Sequence, residues 1–184
     1  ELRHIEKVDR YALSNCVNLK EVTFNDEAIF IGEHLFTGCT NLTKVHLPET
    51  LKSIPINCFK NCTSLKEINF PESLSEINDG AFDGCSLLDV PAFPKDLIKI
   101  GRYAFCDNKT IHNLILPRGL KDFDNGAFYG CDIEHISVDP NNKWYSDMGS
   151  DIITYLDLDN HRHLLLGCKN SLIPEGIEII DRCA

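Results

Sequence analysis

Cys16, Cys39, Cys62 and Cys85 stand 23 residues apart, the next step falls on Asn108, and the one after on Cys131. Other positions keep the same step. One column reads Leu13, Phe36, Phe59, Phe82, Phe105, Phe128, and its neighbour reads Ala12, Leu35, Cys58, Ala81, Ala104, Ala127. Further columns hold Val8, Ile31, Ile54, Ile77, Ile100, Phe123, then Leu19, Leu42, Leu65, Leu88, Ile111, then Pro48, Pro71, Pro94, Pro117. A unit this short cannot bury its own apolar face. It must stack on copies of itself, so a solenoid follows before any single residue is interpreted.

Each unit reads L-x-x-I-x-x-x-A-F-x-x-C-x-x-L-x-x-I-x-L-P. In "LKEINF" (65–70) and "LTKVHL" (42–47) the last two apolar residues are two apart, which is strand period. The proline that follows ends each strand, because it cannot donate a ladder hydrogen bond. The spacing predicts one parallel sheet on the concave side of a right-handed solenoid. "LKSI" (51–54) is a candidate second short strand. "IGRYAF" (100–105) is expected to turn and then form a short helical or 3₁₀ piece on the convex side. Pro91 falls in the strand column Val22, Val45, Ile68, Leu114, so the fourth strand is expected to break or bulge there.

The chain has nine cysteines, an odd number. Those in the column point alike from neighbouring units, which is poor disulfide geometry. They read as a packed thiol ladder, since a free cysteine behaves as a small buried hydrophobe. Asn108 fits the same column, because a buried amide can satisfy turn backbone. Cys58 sits four before Cys62, but zinc needs two more ligands than that pair supplies. Cys106 lies off the column and is the candidate for a reactive thiol, with an idle surface position as the competing account.

"SLKEINFPESLSEINDGAFDGCSLL" (64–88) and its copies resemble the BspA-type leucine-rich repeat, a variant found in surface proteins of host-associated bacteria and some protists. The segment 136–184 is similar to that family's terminal unit: an "I-x-V-x-x-x-N-x-x-Y" stretch, a hairpin, then "IPEGI" restarting a repeat. The resemblance implies a cell-surface or secreted location and adhesion to host proteins, other cells or glycans. It specifies no ligand.

The spacing shortens by one after Cys131, where Ile133, Ile136 and Val138 stand one place early. The chain therefore divides into repeats over 1–138, an irregular insertion with a hairpin over 139–170, and a restarted unit over 171–184. The hairpin joins "IITYLDL" and "HLLLGC" around "DNHR". Ala184 falls at the alanine of an "AF" pair, and the chain opens on Glu1 without a polar cap. The expectation is a piece of a longer protein.

Net charge is −10, with no basic stripe, so nucleic acid is not an expected partner. No run approaches a membrane span, so no membrane insertion is expected. None of the common catalytic or nucleotide-binding motifs occurs, no cofactor is implied, and an enzyme is not expected. His161 and His163, beside Asp157 and Asp159, could hold a metal or simply make a polar hairpin turn. "DPNNK" (139–143) lacks the ordered ligand pattern of a calcium loop and reads as a turn. Trp144 and Tyr145 are expected to fill the core at the repeat break, with an exposed partner anchor as the alternative.

Side chains alternate along a strand, so the residues between the buried ones face outward. The candidate binding face comprises Lys20, Glu21, Thr23, Thr43, Lys44, His46, Lys66, Glu67, Asn69, His112 and Asn113, and grows more apolar at Val90, Ala92 and Ile115. Two roles follow. One is a non-enzymatic binding module for a protein or glycan ligand. The other is a structural spacer within a larger surface protein.

Overall fold

The computed structural model describes residues 7–25 and 30–181. Strands are numbered along the chain. The first ladder comprises β2 (Glu21–Thr23), β4 (Lys44–His46) and β6 (Glu67–Ile68), and continues after a gap as β9 (Asn113–Leu116) and β11 (His135–Val138). A second ladder holds β1 (Lys7–Val8) with β3 (Phe30–Ile31) and, after a gap of its own, β5 (Ser53–Ile54), β7 (Glu76–Ile77), β8 (Lys99–Ile100) and β10 (Asp122–Phe123). All these pairings are parallel. Partners differ by 23 in number, as in Val22 with Val45 and Ile77 with Ile100. Only β9 and β11 differ by 22, with Leu114 opposite Ile136. The shortened spacing after Cys131 is thus absorbed as register, not as a bulge. The "LKSI" strand is present as β5.

No described residue is helical. The expected helical or 3₁₀ piece at 100–105 is instead a run of turns, and the backbone shows why. Tyr103 and Asp107 are left-handed, with φ of 56° and 58°. This periodic reversal aims alternate amides in two directions. Phe105 and Asp107 donate to Ala127 and Tyr129 of the next coil, at 2.8 and 2.9 Å, while Cys106 donates back to Tyr103 at 3.2 Å. A helix would keep all of these bonds within one coil. The turns share them, so this segment also ties the stack together.

The left-handed positions of the coils form two columns: Tyr11, His34, Asn57, Gly80, Tyr103, and Asn15, Gly38, Asn61, Gly84, Asp107, Gly130. A Cβ on Gly84 would lie 2.7 Å from the amide oxygen of Asn61, and one on Gly130 would lie 2.4 Å from an Asp107 carboxylate oxygen. Each glycine therefore leaves room for the polar side chain stacked against it. The alternation is steric as well as conformational.

Inside the coil the phenylalanine column forms a pile. Phe36, Phe59, Phe82, Phe105 and Phe128 lie 5.2–5.3 Å apart, with interplanar angles of 3–14°. Phe70 and Phe93 form a parallel pair beside it at 5.9 Å. The cysteine column packs alongside. Cys39, Cys62 and Cys85 are fully buried, and all eight described cysteines are free thiols. From Cys39 on, each column thiol donates to a carbonyl of the preceding coil: Cys39 to Leu13 at 3.0 Å, Cys62 to Phe36 at 3.1 Å, Cys85 to Phe59 at 3.0 Å, Cys131 to Phe105 at 3.1 Å. Asn108 makes the same bond to Phe82 at 2.9 Å. The column thus selects a compact buried donor, which cysteine and asparagine both supply.

The insertion folds as β12 (Ile152–Leu156) antiparallel to β13 (Arg162–Gly167), and β14 (Ile179–Ile180) runs parallel to β13. It also closes the edge of the first ladder. The carboxylates of Asp151 and Asp147 accept the amides of Ile136 and Val138, at 2.9 and 2.8 Å, where the next strand would otherwise bond. Ala184 and the N-terminal six residues lie outside the described residues.

Candidate ligand-binding face

In the first three coils the outward face is charged, with residues of both signs. Lys44 meets Glu67 at 2.7 Å. The hydrogen bond between them raises the lysine pKa and lowers that of the glutamate. Both are exposed, so water screens the attraction. Lys20, Glu21, Thr23, His46 and Lys66 are exposed on the same face. Two expected members are engaged between coils. Thr43 donates to the Lys20 carbonyl at 3.0 Å, and Asn69 brackets the backbone of Leu47, accepting from its amide at 2.6 Å and donating to its carbonyl at 3.1 Å. His112 and Asn113 lie beyond the gap, with His112 Nδ1 3.2 Å from the Asp132 carbonyl.

Pro91 breaks the first ladder as expected. Asp89 still donates to Lys66 at 3.1 Å, but Val90–Ala92 form no strand, and β6 and β9 have no ladder between them. A groove of about 460 Å³ opens here. Val90, Ala92 and Phe93 line one side and Asn113 and Ile115 the other, with Lys95 and Asp139 also in the lining. Ile115 is 63% exposed at this point. The volume lies within the range of small-ligand pockets, about 300–1,000 Å³. The trend toward apolar residues was visible in the sequence. The concavity was not, because it depends on where coil five lies once coil four fails to pair.

The remaining candidates resolve individually. Cys58 and Cys62 are both fully buried. Burial raises both thiols, Cys62 to about 12, and Cys62 is already bonded to a carbonyl. Cys106 is partly buried, and burial with the nearby Asp83 and Asp107 carboxylates pushes its thiol to about 12. A thiolate is thereby disfavoured, which argues against reactivity. Its sulfur and those two carboxylates come within 4.8 Å of one another, but Lys60 holds Asp83 at 2.6 Å.

His161 and His163 meet at one carboxylate: His161 Nδ1 lies 3.4 Å and His163 Nε2 3.1 Å from Asp157 Oδ2. Asp157, Asp159 and His161 form a second close group. Asp157 is already engaged there, accepting the amides of Asp159 and His161 at 2.9 Å each. His163 also bridges Asp157 to a second carboxylate, with Nδ1 2.9 Å from Asp181 and Nε2 3.1 Å from Asp157. The Asp181 carboxylate, then Asp157, raise the imidazole pKa, and His163 in turn holds Asp157 down at about 2. "DPNNK" is a turn. Asp139 accepts from the Asn141 amide, while Asn142 donates to the Pro117 and Leu120 carbonyls and accepts the amides of Trp144 and Tyr145.

Trp144 and Tyr145 part company. Tyr145 packs edge-on against Phe123 at 6.0 Å and donates its hydroxyl to the Lys121 carbonyl at 3.1 Å. Burial raises its pKa to about 12. Trp144 is 46% exposed and does not fill the core as expected. Among the described residues no helix is long and apolar enough to cross a membrane.

A parallel solenoid with 23-residue coils, a phenylalanine pile and a thiol column defines a leucine-rich-repeat protein. The BspA type leucine-rich repeat region matches residues 2–92 and 88–148 in six copies, and the chain belongs to that family. A leucine-rich cell surface protein of Faecalibacterium prausnitzii superposes with a TM-score of 0.74 at 19% identity, over 94% of this chain and 54% of that one. A leucine-rich repeat protein of Bacteroides ovatus gives 0.62 at 33% identity, over 67% of this chain and 32% of that one. The leucine-rich repeat protein of T. pallidum gives 0.63 at 29% identity, over 72% and 62%. The chain thus spans less than two thirds of each of these structures. No curated protein matches it. Membership is consistent with a protein-binding or repeat-scaffold role.

Proposed function

We propose that this chain is a non-enzymatic binding module, displayed at the cell surface or secreted, that takes a protein ligand on the outward face of its first ladder. The observation that carries the reading is the groove at coil four. There an apolar side chain, Ile115, stands exposed beside Val90 and Ala92 on an otherwise charged sheet. Exposed apolar area in a concavity is the feature most often spent on a partner. The surface location is supported by the family and by the similarity to the F. prausnitzii leucine-rich cell surface protein. Adhesion is the corresponding physiological role.

The test is a binding screen of the purified protein against immobilised extracellular-matrix proteins and a glycan array, repeated with Ile115→Glu. Retention of a protein ligand that Ile115→Glu abolishes supports the reading. Retention that Ile115→Glu leaves intact moves the site elsewhere, and no retained ligand favours the spacer. The mixed charges of the first three coils, with Lys44 paired to Glu67, support that second reading for the N-terminal half.

A further inference from the structure

The hairpin insertion makes a second cavity, remote in character from the groove. It holds about 480 Å³ between the turn at 142–146 and strands β12 and β13. Its charged lining is entirely cationic: Lys121, Lys143 and Arg162, with no carboxylate among the lining residues. In a chain of net charge −10 such a set is unusual. Among the described residues none of the three is in a salt bridge. The Arg162 guanidinium donates only to Thr154 Oγ1 at 3.4 Å, and Glu178 takes the Arg162 backbone amide rather than its side chain. Asp122 stands close to Tyr145 but outside the lining. The exposed indole of Trp144 forms part of the same wall.

We infer that this cavity binds a uronic-acid unit of an acidic glycan. The argument is complementarity of two kinds in one place. A carboxylate matches the planar fork of a half-buried arginine and the point charges of two lysines. A pyranose ring also presents an apolar face of C–H groups, and the indole offers an apolar surface of similar size. An acidic peptide supplies the charge without the ring face, and a neutral sugar supplies the face without the charge. The site is separate from the ladder face and does not depend on that reading.

Trp144 is the only tryptophan in the chain, so its fluorescence reports this cavity directly. The experiment titrates the whole protein with trimers of galacturonic and glucuronic acid, with their carboxyl-reduced counterparts, with a sulfated disaccharide, and with a hexaglutamate peptide. Calorimetry runs in parallel in case the indole is silent. One uronate trimer should saturate, at least about tenfold more tightly than its reduced form, a difference that isolates the carboxylate. Lys143→Gln and Arg162→Gln should each weaken it at least about fivefold, whereas Lys66→Gln on the ladder face should not. The inference is overturned if no uronate binds by either method up to about 10 mM. It is also overturned if the peptide or the sulfated sugar binds more tightly, or if the cavity variants bind like wild type. Loss of the Ile115-dependent ligand would leave all of these readings unchanged, so the two proposals fail separately.

Discussion

Replacing Phe82 by alanine cuts the phenylalanine pile at its centre. Phe82 is fully buried, with rings stacked on both faces at 5.2 Å and Phe70 tilted against it at 5.8 Å. Removing a buried phenylalanine costs about 3–5 kcal/mol from lost transfer and cavity. Each aromatic pair adds about 0.5–1.5 kcal/mol, so losing two stacked neighbours places Phe82→Ala at the top of that range. Phe128 ends the pile, with one stacked neighbour, Phe105, and a tilted Phe123 at 6.0 Å. Phe128→Ala should fall about 1–2 kcal/mol short of the central change. Because each coil touches only its neighbours, a central gap should also uncouple the two halves. Urea unfolding would be followed by far-ultraviolet circular dichroism for the whole stack and by Trp144 fluorescence for the C-terminal end. The two probes should coincide in wild type and separate in Phe82→Ala. Equal losses at the two positions, or coincident probes in Phe82→Ala, would refute the pile as the coupling element.

Four further outcomes are expected. Asn108→Cys should stabilise by about 1 kcal/mol, since it removes a fully buried, unbonded Oδ1 and a thiol keeps the bond to Phe82, while giving up the 3.1 Å bond to the Cys106 carbonyl; a melting temperature no higher than wild type would contradict this. Gly84→Ala should destabilise by about 1 kcal/mol or more, from its φ of 76° and the Asn61 amide oxygen, with partial recovery in Asn61→Gly/Gly84→Ala by thermal melts. Alkylation at pH 8 read by mass spectrometry should leave Cys62, Cys106 and Cys131 unmodified in the native protein and modify all three in denaturant, because their pKa values near 12 keep them as thiols. His163, raised above its ordinary 6.5 by Asp181 and Asp157, contributes stability that is complete below 6.5 and lost as pH rises through its folded value. Asp157 acts in the opposite sense, contributing above the ordinary carboxylate range and losing its contribution as pH falls toward 2. Melting temperature should therefore fall from pH 6 to 9 in wild type with a slope that His163→Gln lacks.

The legible part of this protein was whatever recurs every 23 residues. A residue type repeated at that step is carried onto its own copy by stacking, so Phe36 through Phe128 and Cys39 through Cys85 could be placed in the core from spacing alone. Pro91 was legible for a related reason: it removes a donor at a position where every other coil needs one. The turn segments were misread as helical because "AF" and its flanks carry ordinary helix-compatible residues. The signal against a helix was present in the alternation of Asn15, Gly38, Asn61, Gly84, Asp107 and Gly130, which marks a left-handed position in every coil. The groove was legible only in part: its two sides, Val90 and Ala92 against Asn113 and Ile115, stand one repeat apart and showed the apolar trend, but not the concavity. The cationic cavity had no signal, because Arg162 comes from a hairpin with no counterpart in the coils.

The amino-acid order alone therefore determined the coil, its period, the buried columns and the place where the first ladder fails. Tertiary structure decided which off-column residues meet. It turned Trp144 outward while Tyr145 packed on Phe123, brought His161 and His163 to the same Asp157 carboxylate, and set Lys121, Lys143 and Arg162 around one cavity. The physical reason is that a stack repeats only what the sequence repeats. Where the insertion ends that translation, each side chain's surroundings come from elements with no counterpart in the coils before it.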